Sequence, residues 1–85
     1  MTEREVILLG FKSETIEDYV GEENPDYYYA LDIVNGLTLI TPSKNELKGE
    51  DWYVEIFNTD PSVRFYDFTK TQAFINQLTN AVVKN

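Results

Sequence analysis

The sequence predicts a small α+β domain built on an antiparallel sheet. Asn35-Gly36 joins two β-rich runs, and this dipeptide tolerates the positive φ angles of a two-residue hairpin turn. A second pair of alternating runs, 52–57 and 63–68, flanks turn-forming residues at 58–62. One apolar stripe at helical spacing then comprises Phe74, Ile75, Leu78, Ala81 and Val82. These patterns predict about five strands, in two hairpins plus an N-terminal strand, with a short acidic helix and a C-terminal amphipathic helix on one face.

The N-terminal part of the chain is predicted to hold one strand and the short acidic helix. Residues 6–11 are apolar on both alternating faces, which favours a strand that is covered on both sides. Ser13 can then cap a helix that Gly21 closes. A charged loop is expected at 22–26, because Asn-Pro disfavours helix.

The first hairpin is predicted to span 27–41. With a two-residue turn, Val34 faces Leu37 and Leu31 faces Ile40. The residues assigned to the core face are Tyr29, Leu31, Ile33 and Ile40. The other face, which includes Leu39, is also apolar, and we expect a neighbouring element or a partner to cover it.

The second half of the chain is predicted to alternate between polar connections and regular elements. Residues 42–51 are expected to form a polar connection before the second hairpin. Thr69 and Gln72 have the spacing of a capping box, which predicts that the last helix begins there. The 85 residues make a single domain, 1–85, because two cores would not fit.

Charge and composition exclude several kinds of partner. The net charge of -8 makes nucleic acid and anionic membranes unfavourable, since both are polyanions. No cysteine is present, so a disulfide framework is excluded, and small secreted domains commonly need one. The first residues lack a basic leader, and the apolar runs are short. We therefore expect a protein that acts in the cytoplasm.

Catalysis and cofactor binding have little support in the sequence. Histidine and cysteine are both absent, and no hydroxyl or amine has an evident base beside it. The carboxylates at 14–18 are better explained as a solvated face than as a glycosidase pair. The oxygen-rich segment 22–26 does not match a calcium loop, and the glycines stand singly rather than in a phosphate-binding loop. We predict no enzyme, no cofactor and no metal site.

An acidic, tyrosine-bearing segment is the candidate site. Residues 13–43 contain seven acids, four tyrosines and no basic residue. Carboxylates at helical spacing could present a row of negative charge that imitates a phosphate backbone, with tyrosines at its rim. The predicted partner-binding residues are Glu14, Glu17, Asp18, Tyr19, Glu22, Glu23, Asp26, Tyr27 and Tyr28. The alternative is that the tyrosines are half-buried strand residues and that the acids only keep the protein soluble.

The segments 35–37, 52–56, 63–65 and 74–78 together resemble small accessory proteins of bacteriophages and mobile elements. Such proteins include inhibitors of host defence nucleases, anti-CRISPR proteins among them. The resemblance implies a non-enzymatic protein that inhibits a basic host or defence protein, such as a nuclease or another nucleic-acid-binding protein. One alternative is a structural module that forms a homodimer or part of a phage particle. Another is an immunity protein for a basic nuclease toxin.

Overall fold

Five strands form one sheet in which each strand pairs antiparallel with the next along the chain. The computed structural model describes residues 1–16, 25–34 and 36–83. The strands are β1 (Lys12–Thr15), β2 (Tyr27–Val34), β3 (Leu37–Ile40), β4 (Val54–Ile56) and β5 (Arg64–Phe65). The helices are α1 (Glu3–Leu8), α2 (Lys44–Leu47) and α3 (Phe68–Val83). The predicted α+β class, with a C-terminal helix on a five-stranded antiparallel sheet, is confirmed.

The chain begins with a helix where the sequence predicted a strand over 6–11. Helix α1 is started by a capping box: the Thr2 hydroxyl accepts from the Glu5 N–H, and the Glu5 carboxylate accepts from the Thr2 N–H. Val6 is fully buried, whereas Ile7 and Leu8 are 51% and 65% exposed. The strand prediction was wrong because it required the side chains on both faces of residues 6–11 to be buried, whereas Ile7 and Leu8 are exposed.

Strand β1 replaces the start of the predicted acidic helix. Ser13 pairs with Tyr29, and Glu14 with Tyr28, along the edge of the sheet. The Ile16 N–H continues the pairing by donating to the Asp26 carbonyl at 2.8 Å. A short isolated helix is marginal in water, and pairing with β2 satisfies the backbone instead. The remainder of the predicted helix, and most of the predicted loop after it, lie outside the described residues.

The β2–β3 hairpin is confirmed, but its register changes within the first strand. Val34 pairs with Leu37 as predicted, and then Asp32 pairs with Thr38, so Ile33 is an extra residue in a bulge. Leu31 consequently faces Leu39 rather than Ile40. Leu39 is fully buried in the core, and the assignment of Ile40 to that face was wrong.

The connection predicted at 42–51 contains helix α2. Ser43 and Glu46 form a second capping box, in which the Ser43 hydroxyl accepts from the Glu46 N–H at 3.2 Å. The four-residue helix ends at Leu47, whose side chain is buried in the core. Lys48 then adopts a left-handed conformation that turns the chain toward β4.

The second hairpin is confirmed with shorter strands, and it leads directly into α3. The Asp67 carboxylate accepts from the Lys70 N–H at 2.9 Å, and the Asp67 carbonyl accepts from the Thr71 hydroxyl at 2.7 Å. Asp67 therefore caps the helix, which begins at Phe68 and not at the predicted Thr69 box. Phe74 stacks on Phe65 with ring centroids 4.8 Å apart, which fixes α3 against the sheet.

The two faces of the sheet differ, since one carries the hydrophobic core and the other carries side chains that are exposed or only partly buried. Leu39 lies between Leu31 and Ile56 on the core face. The buried hydrophobic residues of the core are Val6, Phe11, Tyr29, Leu39, Leu47, Trp52 and Val54. The opposite face is crossed by the row Lys12, Ala30, Ile40, Glu55 and Arg64, and it is called the open face below. In the described part of the chain, no helix has the length and apolar character to cross a membrane.

Candidate partner-binding surface

The structure describes four of the nine residues predicted to bind a partner. Glu14, Asp26, Tyr27 and Tyr28 lie in or beside β1 and β2. The other five lie outside the described residues: Glu17, Asp18, Tyr19, Glu22 and Glu23. Tyr27 and Tyr28 are neighbours in one strand, so their side chains point to opposite faces of the sheet. The predicted site is therefore divided, with Glu14 and Tyr28 on one face and Tyr27 on the other.

Tyr27 belongs to a polar cluster on the core face. Its hydroxyl donates to Glu3 Oε2 at 2.6 Å, and the Tyr29 hydroxyl donates to the same oxygen at 2.7 Å. Tyr27 also stacks on Trp52, with ring centroids 6.2 Å apart, and the Lys44 ammonium lies 5.7 Å from the Tyr27 ring centre. These contacts join α1, β2 and α2 to one another, so the role of Tyr27 is structural.

The hydrogen bonds of this cluster lower the pKa of the carboxyl group and raise the pKa values of the two phenols. The bond from Tyr27 lowers the pKa of Glu3; desolvation opposes this shift, and the Tyr29 bond and the Lys44 charge reinforce it. The same bond, with desolvation, raises the pKa of Tyr27 to about 12. Desolvation and the bond to Glu3 raise the pKa of Tyr29. The stable state is one carboxylate held by two neutral phenols.

Asp26 is also used within the fold. Its Oδ1 accepts from the Tyr27 N–H at 2.9 Å and from the Asn45 N–H at 3.0 Å, which ties the start of β2 to α2. Desolvation raises the pKa of Asp26, but hydrogen bonds from Ser43, Asn45 and Tyr27 outweigh it, so the pKa lies below its ordinary value. A carboxylate with these partners is poorly placed to bind another protein.

Glu14 and Tyr28 are brought together on the open face. They are directly paired across β1 and β2. Tyr28 lines a groove of about 270 Å³, called the Tyr28 groove, together with Ile16, Ile40, Thr41, Ser43, Glu46 and Phe57. Phe57 is 58% exposed, so the groove offers an accessible apolar wall. Its geometry combines apolar and aromatic surface with carboxylates at its margin.

A second cavity adjoins the groove, and the sequence did not indicate it. It has a volume of about 330 Å³ and is called the Tyr53 pocket; it is lined by Pro42, Glu46, Leu47, Glu50, Asp51, Tyr53 and Tyr66. Glu46 lines both cavities. The available signal was that Tyr53 alternates with the buried residues of β4, after a connection rich in acids.

Positive charge on the open face is partly neutralised. Arg64 Nε lies 3.4 Å from Glu55 Oε2, and the guanidinium lies 5.0 Å from the Tyr53 ring centre. Lys12, exposed at the edge, lies in the same row of the sheet. Glu46, Glu50 and Asp51 line the two cavities, and Glu14 is paired with Tyr28 of the groove, so acids outnumber bases around the cavities.

The described residues place no three histidine, cysteine or acidic side chains where they could hold a metal ion together. The two cavities present rings and apolar side chains, which can give contact area, and carboxylates, which attract positive charge. No protein-family model, curated protein or solved structure matches the chain.

Proposed function

We propose that this chain is a non-enzymatic binding protein that docks a basic protein through the open face of its sheet. The observation that carries the proposal is the Tyr28 groove, which is lined by the accessible Phe57 ring and by Glu46, and whose Tyr28 is paired with Glu14. Protein interfaces favour aromatic contacts at their centre and polar groups at their rim. The groove and its margin have this composition.

The charge of the whole protein supports a cationic partner. With a net charge of -8, long-range attraction speeds encounter with a basic surface and repels polyanions. The specific form that we propose is inhibition of a host or defence nucleic-acid-binding protein in the bacterial cytoplasm. In that form, carboxylates around the two cavities occupy cationic positions that otherwise contact phosphates.

Photo-crosslinking from defined positions tests the docking surface. A photoreactive amino acid is placed at Phe57 on the open face and, in a second protein, at Leu8 of α1, which is 65% exposed on the core side. Both proteins are irradiated in a lysate of the source cells. We expect a basic protein to be crosslinked from position 57 only, with a yield that falls between about 50 and 500 mM salt. Equal crosslinking from both positions would contradict the proposal.

A matched pair of double variants then measures affinity for the purified partner. Phe57→Ser with Glu14→Gln removes one exposed apolar side chain and one charge from the open face. Leu8→Ser with Glu5→Gln removes one exposed apolar side chain and one charge from α1 instead. The double variant on the open face should weaken binding at least about tenfold, and the control double variant should change it less than about twofold. If neither double variant weakens binding, or if both do, the open face is not the docking surface.

The homodimer alternative rests on the same exposed ring. Two open faces would each bring the carboxylates around the cavities to the contact, and like charges repel. The heterologous basic partner is therefore the function that the geometry favours. Light scattering checks this preference, since a dimer that Phe57→Lys dissociates would support self-assembly instead. Neutralisation of a basic nuclease toxin uses the same surface, and the identity of the crosslinked protein distinguishes it from inhibition of a defence protein.

A further inference from the structure

Resting on the proposed function, we infer that the Tyr53 pocket receives an arginine side chain of the basic partner. The pocket has aromatic side chains from Tyr53 and Tyr66, a partly apolar lining that includes Leu47, and carboxylates from Glu50 and Asp51. Its volume of about 330 Å³ accommodates one long side chain. The occupant must combine an apolar stem with a cationic end, as arginine and lysine do.

The carboxylates select the charge of the occupant, and the rings select its shape. Acids alone would attract any cation, and they exclude phosphate or another anion. The two tyrosine rings lie 5.2 Å apart at an angle of 38°, which adds a flat, polarisable surface. A guanidinium is planar and weakly hydrated, so it stacks on such rings more readily than a compact, strongly hydrated ammonium does.

The protein already shows this contact with one of its own residues. The Arg64 guanidinium lies 5.0 Å from the Tyr53 ring centre, and a hydrogen bond with Tyr66 raises the pKa of Arg64. Arg64 is not among the residues that line the pocket. Both tyrosines border the pocket and Arg64 does not, so a second guanidinium can contact their rings from inside the pocket.

The test uses three short peptides and NMR titration of the ¹⁵N-labelled protein. The probes are acetyl-Gly-Arg-Gly-amide, the same peptide with lysine, and the same peptide with citrulline, which keeps the shape of arginine without its charge. We expect saturable amide shifts at Glu50, Asp51, Tyr53 and Tyr66 with arginine, binding about fivefold weaker with lysine, and no saturable shift with citrulline. Equal binding of lysine, or saturable binding of citrulline, would overturn the assignment.

Matched variants establish that the pocket, rather than general acidity, holds the arginine. Tyr66 is 59% exposed, so Tyr66→Leu removes the ring at little cost to folding and should weaken arginine binding about fivefold. Phe57→Leu removes a ring from the neighbouring groove and should change it less than about twofold. Glu50→Gln with Asp51→Asn should weaken it, while Glu5→Gln with Asp60→Asn, which removes two charges outside the pocket lining, should not. Shifts that are spread over all surface acids and unaffected by Tyr66→Leu would refute the pocket.

Failure of this inference can be separated from failure of the proposed function. If the arginine peptide saturates the pocket but no basic protein crosslinks at Phe57, the pocket binds arginine and the proposed docking through the open face is wrong. If the partner binds the Tyr66→Leu variant as tightly as the natural protein, the arginine pocket is wrong and docking through the open face stands.

Discussion

Glu3 and Tyr29 are joined by a 2.7 Å hydrogen bond in which the tyrosine hydroxyl donates to the carboxylate, although 26 residues separate them in the chain. The same oxygen accepts from Tyr27 at 2.6 Å. One carboxylate thus connects α1 to two positions of β2. Since both tyrosines also contact Trp52, this link stabilises the aromatic end of the core.

Replacement of Glu3 by glutamine should destabilise the protein. The amide keeps the shape but loses the charge that strengthens both hydrogen bonds, so the free energy of unfolding should fall by about 1 to 3 kcal/mol in urea denaturation. Glu5→Gln is the matched control, because glutamine also serves at this position of a capping box. It should cost less than about 0.5 kcal/mol. Equal losses in the two variants would show that the tyrosine contacts add no stability.

Acid should remove the stabilisation that Glu3 provides. The pKa of Glu3 in the folded protein lies below its ordinary value of 4.5, so the unfolded state binds the proton more readily. The contribution is therefore complete above about pH 4.5 and is lost as the pH falls through the folded pKa. Urea denaturation from about pH 6 to about pH 3 should show a smaller decrease for Glu3→Gln than for the natural protein. Parallel pH profiles would contradict the assigned pKa direction.

High pH should also destabilise the protein, in this case by ionising the tyrosines that donate to Glu3. The pKa of Tyr27 is raised from 10.0 to about 12, so the folded state holds this proton more tightly than the unfolded chain does. Its contribution is complete below about pH 10 and is lost as the pH rises through about 12. Spectrophotometric titration should show that some tyrosine ionises well above pH 10. The amplitude of this late step should be smaller in Tyr27→Phe, and the step should occur at lower pH in Glu3→Gln. Ionisation of all six tyrosines together near pH 10 would refute the raised pKa of Tyr27.

The elements that the sequence predicted correctly have local causes. Asn35-Gly36 specified the first hairpin, and turn residues specified the second. Both missed helices also carry a local signal, since Thr2 to Glu5 and Ser43 to Glu46 are capping boxes. Each box is a four-residue signal beside a longer run, apolar at 6–11 and polar within 42–51, whose pattern favours a strand and a loop. At α3 the capping-box spacing of Thr69 and Gln72 predicted the wrong start, because Asp67 caps the helix two residues earlier.

The division of the candidate site has a non-local cause. Tyr27 and Tyr28 are adjacent and chemically identical, and only the packing of α1 decides which one meets Glu3. Glu14 was expected on a helix, and its pairing with Tyr28 follows from the edge of a sheet that no local pattern at 12–15 predicts. The Tyr53 pocket needs residues from three segments, so it exists only after folding.

The bulge at Ile33 leads to a prediction that compares two neighbours in β3. In the observed register Leu39 lies on the core face and is fully buried, and Ile40 lies on the open face opposite Glu55. Leu39→Ala should therefore lower the free energy of unfolding by about 2 to 5 kcal/mol, because it removes buried surface and leaves a cavity. Ile40→Ala removes a side chain of similar size that is only partly buried and should cost less than about half as much. Chemical denaturation of the two variants measures the difference. A larger loss of unfolding free energy for Ile40→Ala would contradict the bulge and favour the register without it.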